Sequence, residues 1–265
     1  MYEVIVNQLK QIERSHHVKV LFAVESGSRA WGIASKESDY DVRFIYIHPV
    51  DWYLTIDPQG IGKKRDVIEL PIHDHLDISG WEVTKALRLF RKCNPSILEW
   101  MRSSPIYLQP YSFISKLRLL EDEVFHPKSM LSHYIQIAKQ NYASLQGENV
   151  KVKSYLYALR SLFACKWIEQ FNEIPPIHFQ HLLSQMKING KLRNEIEQLV
   201  KSKVFDKRET IRPIPIFNDY IEHELYSLKD YIKNLYGEKN DPTVQLDKLF
   251  RETLREVWNE KFDAF

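Results

Sequence analysis

Residues 25–46 read ESGSRAWGIASKESDYDVRFIY and set Gly27-Ser28 ten residues ahead of Asp39 and Asp41. In an extended segment, residues i and i+2 share a face, so both carboxylates project from one side at the start of a strand. Two like charges that close repel unless a cation lies between them. A hard divalent ion takes oxygen ligands, and a pair of such ions clamps a triphosphate for in-line displacement. Gly27 and Ser28 supply the complementary half: a glycine lets the main chain approach phosphate oxygens, and a hydroxyl with N–H groups at the start of a short helix receives the anion. A second ion that also holds an attacking hydroxyl requires a third carboxylate. Asp77, between Leu76 and Ile78, is preferred because it alone leaves the apolar face of its segment. Asp74, in the polar cluster PIHDHLD, is the rival.

The elements that must position these groups follow from hydrophobic period and turn chemistry. Val4, Ile5, Leu9 and Ile12 predict a helix over 2–14, and VKVLFAV predicts a buried strand over 18–24 that ends in a tight turn at Ser26-Gly27-Ser28. The next strand spans 39–47, with Tyr40, Val42 and Phe44 on one face and Asp39, Asp41 and Arg43 on the other. A basic turn at GKKRD leads to a strand over 67–72, then a short strand over 75–79. Ser79 and Glu82 have capping-box spacing ahead of Val83, Ala86, Leu87 and Phe90, so a helix starts there; Asn94-Pro95 opens another. From about residue 112 the pattern is helical throughout, and the linker-like pieces are 103–110 and 212–217. The fold class expected is α+β, with domains at 1–110 and 111–265.

Thirty-seven Lys and Arg against 35 Asp and Glu exclude the strong positive field of a dedicated nucleic-acid binder, so affinity for any polyanion must come from local patches. Cys93 and Cys165 stand far apart in no metal-ligand spacing, which fits a reducing cytoplasm, and no apolar run reaches membrane length. Other groups invite chemistry and each has a plainer reading. Arg29 follows the Gly-Ser turn and reaches either a phosphate or solvent. Lys153, Tyr157 and Arg160 recur at i, i+4 and i+7 beside the stripe of Val152, Leu156, Leu159 and Phe163; that basic edge suits a triphosphate or an acceptor backbone, or is a solvated face. Trp31 and Trp81 are read as core, and His73-Asp74-His75 as a polar turn. The stripe of Leu246, Phe250, Leu254 and Val257 in a helix over 245–262 either covers the core or docks a partner.

Gly-Ser, ten residues, then Asp-x-Asp before apolar residues resembles the signature of the DNA polymerase beta-like nucleotidyltransferase superfamily. More closely, ESGSRAWG…SDYDVRFIY, DISGWEVTKAL, NPSILEW, SHYIQIAKQN and KSYLYALRSL resemble the RNA-repair-pathway polymerase beta family, over residues 25 to about 170. The resemblance implies a small mixed sheet with flanking helices, followed by an all-helical domain that closes over a nucleotide. It implies transfer of a nucleoside monophosphate from a nucleoside triphosphate to a hydroxyl, with release of pyrophosphate. It further implies that Gly27 and Ser28 hold the triphosphate, that Asp39 and Asp41 bind magnesium, with manganese as substitute, and that Asp77 completes the triad. Glu82 stands where the family pattern leads one to expect Asp, which leaves its helix-capping role intact. The acceptor stays open among an RNA 3′ end, a protein side chain and a small-molecule hydroxyl. The alternative keeps the fold without the reaction, as an antitoxin-like partner-binding protein, and the number of subunits is not legible.

Overall fold

Ile5, Leu9 and Ile12 are the buried residues of α1 (Tyr2–His16), which closes with His17 in the left-handed conformation. The computed structural model describes residues 1–56, 66–205, 209–237 and 240–259. Six consecutive buried residues make β1 (Lys19–Ser26) a strand covered on both faces. A single turn, α2 (Gly27–Ala30), follows, then β2 (Tyr40–Ile47), α3 (Val50–Tyr53), β3 (Val67–Glu69) and β4 (Leu76–Glu82). Helices α4 (Val83–Arg91) and α5 (Pro95–Arg102) lead to β5 (Ile106–Leu108), α6 (Phe113–Arg118) and α7 (Glu121–Val124). Next come α8 (Pro127–Ala143), β6 (Val150–Lys151), α9 (Val152–Phe171), α10 (Phe179–Gln185), α11 (Gly190–Val204), β7 (Thr210–Ile211), α12 (Pro215–Lys233) and α13 (Thr243–Trp258).

The chain divides into two compact units. One comprises 1–27, 39–124 and 240–265; the other comprises 28–38 and 125–239. The first unit holds a five-stranded mixed sheet in the order β3-β4-β2-β1-β5. β2 and β4 run parallel, and the remaining pairs are antiparallel. Ile5, Leu9, Val20, Val42, Phe44 and Ile78 are among the side chains that fuse α1 to this sheet. The fold class is thus α+β with a small mixed sheet, as expected.

β2 starts at Tyr40 and β3 ends at Glu69, inside the strands expected over 39–47 and 67–72, and three larger differences have physical causes. Residues 106–108, inside a stretch read as linker, form the edge strand β5 on β1, because Glu25 N–H donates to Pro105 O (3.0 Å) and anchors that segment. Ser79 does not cap α4; it lies in the ladder between Arg43 and Glu69, and β4 continues to Glu82. Glu82 is itself the N-cap and is fully buried, its carboxylate accepting from Thr84 N (2.8 Å), Lys85 N (3.3 Å) and Tyr53 Oη (2.7 Å). Finally, β6 and β7 form a two-residue ladder within the region expected to be wholly helical. The GKKRD turn lies outside the described residues but for its last, Asp66, which pairs with Lys85 Nζ (3.0 Å).

The apolar stripe of α13 packs within the first unit, against α4 and α6, with Phe250 edge-on to Tyr53 at 4.9 Å. Lys116–Glu252 (2.8 Å) and Ser112 N–Glu256 Oε1 (2.8 Å) fix its polar side. In the second unit α9 has thirteen of its twenty residues buried, on every side, so it is the central helix around which α8, α10, α11 and α12 pack. No helix among the described residues is long and apolar enough to cross a membrane.

Candidate active site

The parallel pairing of β2 with β4 sets Asp41 directly opposite Asp77. Partners across a parallel ladder share a face, so the two carboxylates stand side by side at the same end of the sheet. On the other side of β2, β1 brings Ser26 opposite Asp41. Three strand ends therefore converge on one point in the first unit, and Gly27 follows immediately.

Gly27 is required there for two reasons. Its φ of 59° lies in the left-handed region, and a Cβ on it would fall 2.0 Å from Asp41 Oδ2. The glycine thus lets the main chain lie against the Asp41 carboxylate, a close approach the sequence assigned only to phosphate oxygens.

Burial pushes the Asp41 carboxyl up to about 6; Arg43 opposes that rise, while Asp77, Glu25 and Asp39 reinforce it. Arg43, two residues on and on the same face, is the counter-charge. Its Nη2 lies 2.7 Å from Asp77 Oδ2 and 3.5 Å from Asp41 Oδ1, and its Nη1 donates to Val42 O (3.1 Å) and Asp77 O (3.2 Å). Asp39 is half-exposed, its Oδ1 3.1 Å from His75 Nδ1. His75 lies with Asp74 in a turn where both residues have positive φ, and its carbonyl accepts from Tyr40 N (2.7 Å), tying that turn to the start of β2. Asp74 points to His73 Nδ1 (2.9 Å) from an exposed position, as a polar turn would have it.

Beneath the acids sits Glu25, 1% exposed. Its Oε1 accepts the Asp41 N–H (2.8 Å), its Oε2 accepts the Tyr107 hydroxyl, and its carbonyl accepts Ser103 Oγ (2.6 Å). A buried carboxylate so bonded fixes the main chain that carries Asp41. The sequence reading missed it, although an acid at the end of the apolar run VKVLFAV was a visible signal.

The donor set is all carboxylate oxygen, suited to a hard cation. Among the described residues no three His, Cys, Asp or Glu side chains converge to hold one ion; Asp39 is paired with His75 and Asp77 with Arg43.

In the second unit, Ser28 is buried and its carbonyl accepts Ile33 N–H (3.0 Å). Arg29 Nη2 donates to Ser38 O (2.6 Å), closing the segment 28–38 on itself. Trp31 O accepts Phe179 N–H (3.0 Å), and the Trp31 ring lies edge-on to Tyr157 (4.8 Å) with the Arg160 guanidinium 4.1 Å from its centroid. Arg160 is 3% exposed because neighbouring helices pack over its side of α9, whereas Lys153 on the same helix is exposed. Trp81, in the first unit, is half-buried against Trp100, ring centroids 3.9 Å apart.

An uncharacterized protein of Bacillus subtilis (strain 168), YcgL, is 43% identical over 262 residues, covering 98% of this chain and 99% of its own. A crystal structure of a nucleotidyltransferase-like protein from Exiguobacterium sibiricum 255-15 aligns over 95% of this chain and 80% of its own, at 11% identity and a TM-score of 0.30. Residues 1–252 match the model of the RNA repair pathway DNA polymerase beta family, and the chain belongs to that family.

Proposed function

We propose that the protein is a metal-dependent nucleotidyltransferase that moves a nucleoside monophosphate from a nucleoside triphosphate to a hydroxyl, releasing pyrophosphate. The observation that carries this reading is the register of β2 on β4, which sets Asp41 beside Asp77 with Gly27 against them. Asp39 and Asp41 would hold the magnesium ion that accompanies the triphosphate, and Asp41 with Asp77 a second; manganese would substitute. When bound, such ions neutralise triphosphate charge and lower the pKa of the acceptor hydroxyl.

The chain's own groups do the rest. Main-chain N–H groups at Gly27 and Ser28 receive the triphosphate, and Asp77 takes the proton of the attacking hydroxyl. Glu25 holds the Asp41 main chain at a fixed height, so the carboxylate needs no reorganisation when charge develops. Within the second unit, exposed Lys153 is a candidate contact for a polyanion, whereas Arg29 bonds Ser38 O and Arg160 stacks on Trp31.

The test incubates the protein with magnesium and each α-labelled ribonucleotide, adding total RNA, total protein or neither, with Asp39→Asn/Asp41→Asn as the control. Label on RNA that vanishes in the double variant supports an RNA-end acceptor; label on protein supports a side-chain acceptor. Folded protein that labels nothing, with no gain in stability from magnesium plus nucleotide, rejects the enzymatic reading in favour of partner binding.

A further inference from the structure

Arg43 spans the acid pair from a fixed base. Its Nη1 is tied to two main-chain carbonyls, Val42 O (3.1 Å) and Asp77 O (3.2 Å), and its Nη2 holds Asp77 Oδ2 at 2.7 Å with Asp41 Oδ1 at 3.5 Å. The carbonyl bonds do not depend on the carboxylates. A guanidinium anchored in this way stays in place when Asp77 turns away. We propose that Arg43 is a built-in counter-ion that a divalent cation must displace from Asp77, so that free metal binds weakly and metal entry is coupled to nucleotide.

The reasoning is one of charge. Asp41 and Asp77 ionised, with Arg43 between them, sum to one net negative charge, to which Asp39 adds a second for an incoming dication. Ligating Asp77 costs the short charge-assisted bond to Nη2 and leaves a positive charge beside the metal. A nucleotide's triphosphate supplies the missing negative charge and offers the guanidinium a replacement acceptor. Metal and nucleotide thereby raise each other's affinity, as reciprocal linkage requires. In the absence of both, Arg43 offsets part of the repulsion between the paired carboxylates. The inference rests on the metal-site reading above and gives Arg43 a positioning role, not a catalytic one.

The experiment measures Mn2+ binding to the metal-free protein by the loss of the free-ion electron paramagnetic resonance signal, with and without a non-hydrolysable nucleoside triphosphate. Wild type, Arg43→Gln, Arg43→Lys and Asp41→Asn are compared, each checked for folding by circular dichroism. Arg43→Gln is expected to bind Mn2+ alone about tenfold tighter than wild type, within the usual range of coupling between neighbouring sites, and nucleotide is expected to improve its affinity less. Arg43→Lys keeps the charge but cannot span carbonyls and carboxylate together, so its gain is smaller and in the same direction. Equal or weaker Mn2+ binding by folded Arg43→Gln, or by Arg43→Lys should the glutamine variant not fold, overturns the counter-ion role. Mn2+ binding that is the same in Asp41→Asn as in wild type overturns the metal-site reading itself, and the two failures are thereby told apart.

Discussion

Replacing Asp41 by Asn should make the metal-free protein more stable while removing its activity. The carboxyl is pushed up from its ordinary 3.8 to about 6, mainly by burial. A folded-state pKa above the unfolded one means that folding favours the protonated form. Stability is therefore fully present below about pH 4, falls as pH rises through the window from about 4 to 6, and stays reduced above it. The full difference is worth about 3 kcal/mol. The side chain is 23% exposed, so water screens part of this, and about 1–2 kcal/mol is the working figure. Asn keeps the shape without the charge and gives up only the 3.5 Å contact to Arg43. At ~2–4 °C per kcal/mol for a chain of this size, Asp41→Asn should melt about 3–6 °C above wild type at pH 8 in a chelator. The gain should vanish near pH 4. Saturating magnesium and nucleotide should narrow the gap by stabilising wild type alone. Differential scanning calorimetry across pH 4–8, with the two proteins compared at each pH, measures this directly. An Asn variant less stable than wild type at pH 8, or a gain that persists unchanged at pH 4, would refute the account of Asp41 as a strained, buried charge.

The remaining predictions concern the groups around it. Gly27→Ala should cost about 1–3 kcal/mol in urea unfolding and reduce transfer at least about 100-fold, because the methyl meets Asp41 Oδ2 at 2.0 Å; near-normal turnover would show the close approach to be dispensable. Glu25→Ala should cost about 2–4 kcal/mol by stranding the Asp41 N–H and the Tyr107 hydroxyl, and Glu25→Gln about half as much, as denaturant midpoints would report. Glu82→Ala should cost about 2–3 kcal/mol, since one carboxylate both caps α4 and receives Tyr53, and Glu82→Asp should recover little of it. In the second unit, Arg160→Ala should destabilise by about 2–4 kcal/mol while Lys153→Ala stays within about 0.5; the reverse order would contradict the burial of Arg160 on Trp31.

What was legible in the sequence is what short-range pattern encodes. The i, i+2 spacing of Asp39 and Asp41 and the apolar alternation of β2 are local, and the strand forms one residue inside the expected 39–47, at Tyr40–Ile47, with Asp39 just ahead of it. Asp77 could be singled out because it interrupts an apolar alternation, but its partner could not, since parallel register is set by the whole sheet and not by either segment. The end of β4 was misplaced for a related reason. Ser79-x-x-Glu82 satisfies the capping-box spacing, yet ladder bonds to β2 and β3 outweigh a hydroxyl cap and extend the strand by three residues. The sequence places Arg160 beside a clear apolar stripe, as a phosphate contact or a solvated charge; only the packing of α8, α10, α11 and α12 around α9 buries it.

Glu25 shows where chemistry and fold become one argument. An ionisable group at 1% exposure is costly to bury unless its lone pairs are filled. Here they are filled by the Asp41 N–H and the Tyr107 hydroxyl, groups from β2 and β5 on either side of β1. One carboxylate thus ties three neighbouring strands together immediately under the acids that face outward. Its negative charge also raises the Asp41 carboxyl, so the same group that fixes the position of Asp41 sharpens its demand for a cation. Glu25→Gln separates the two effects. It preserves an acceptor for the Asp41 N–H while removing the charge, so it should lower the Asp41 pKa, followed by carboxyl carbon chemical shift, and weaken Mn2+ binding with little movement of the strand. An Asp41 titration unchanged in Glu25→Gln would confine Glu25 to a structural role.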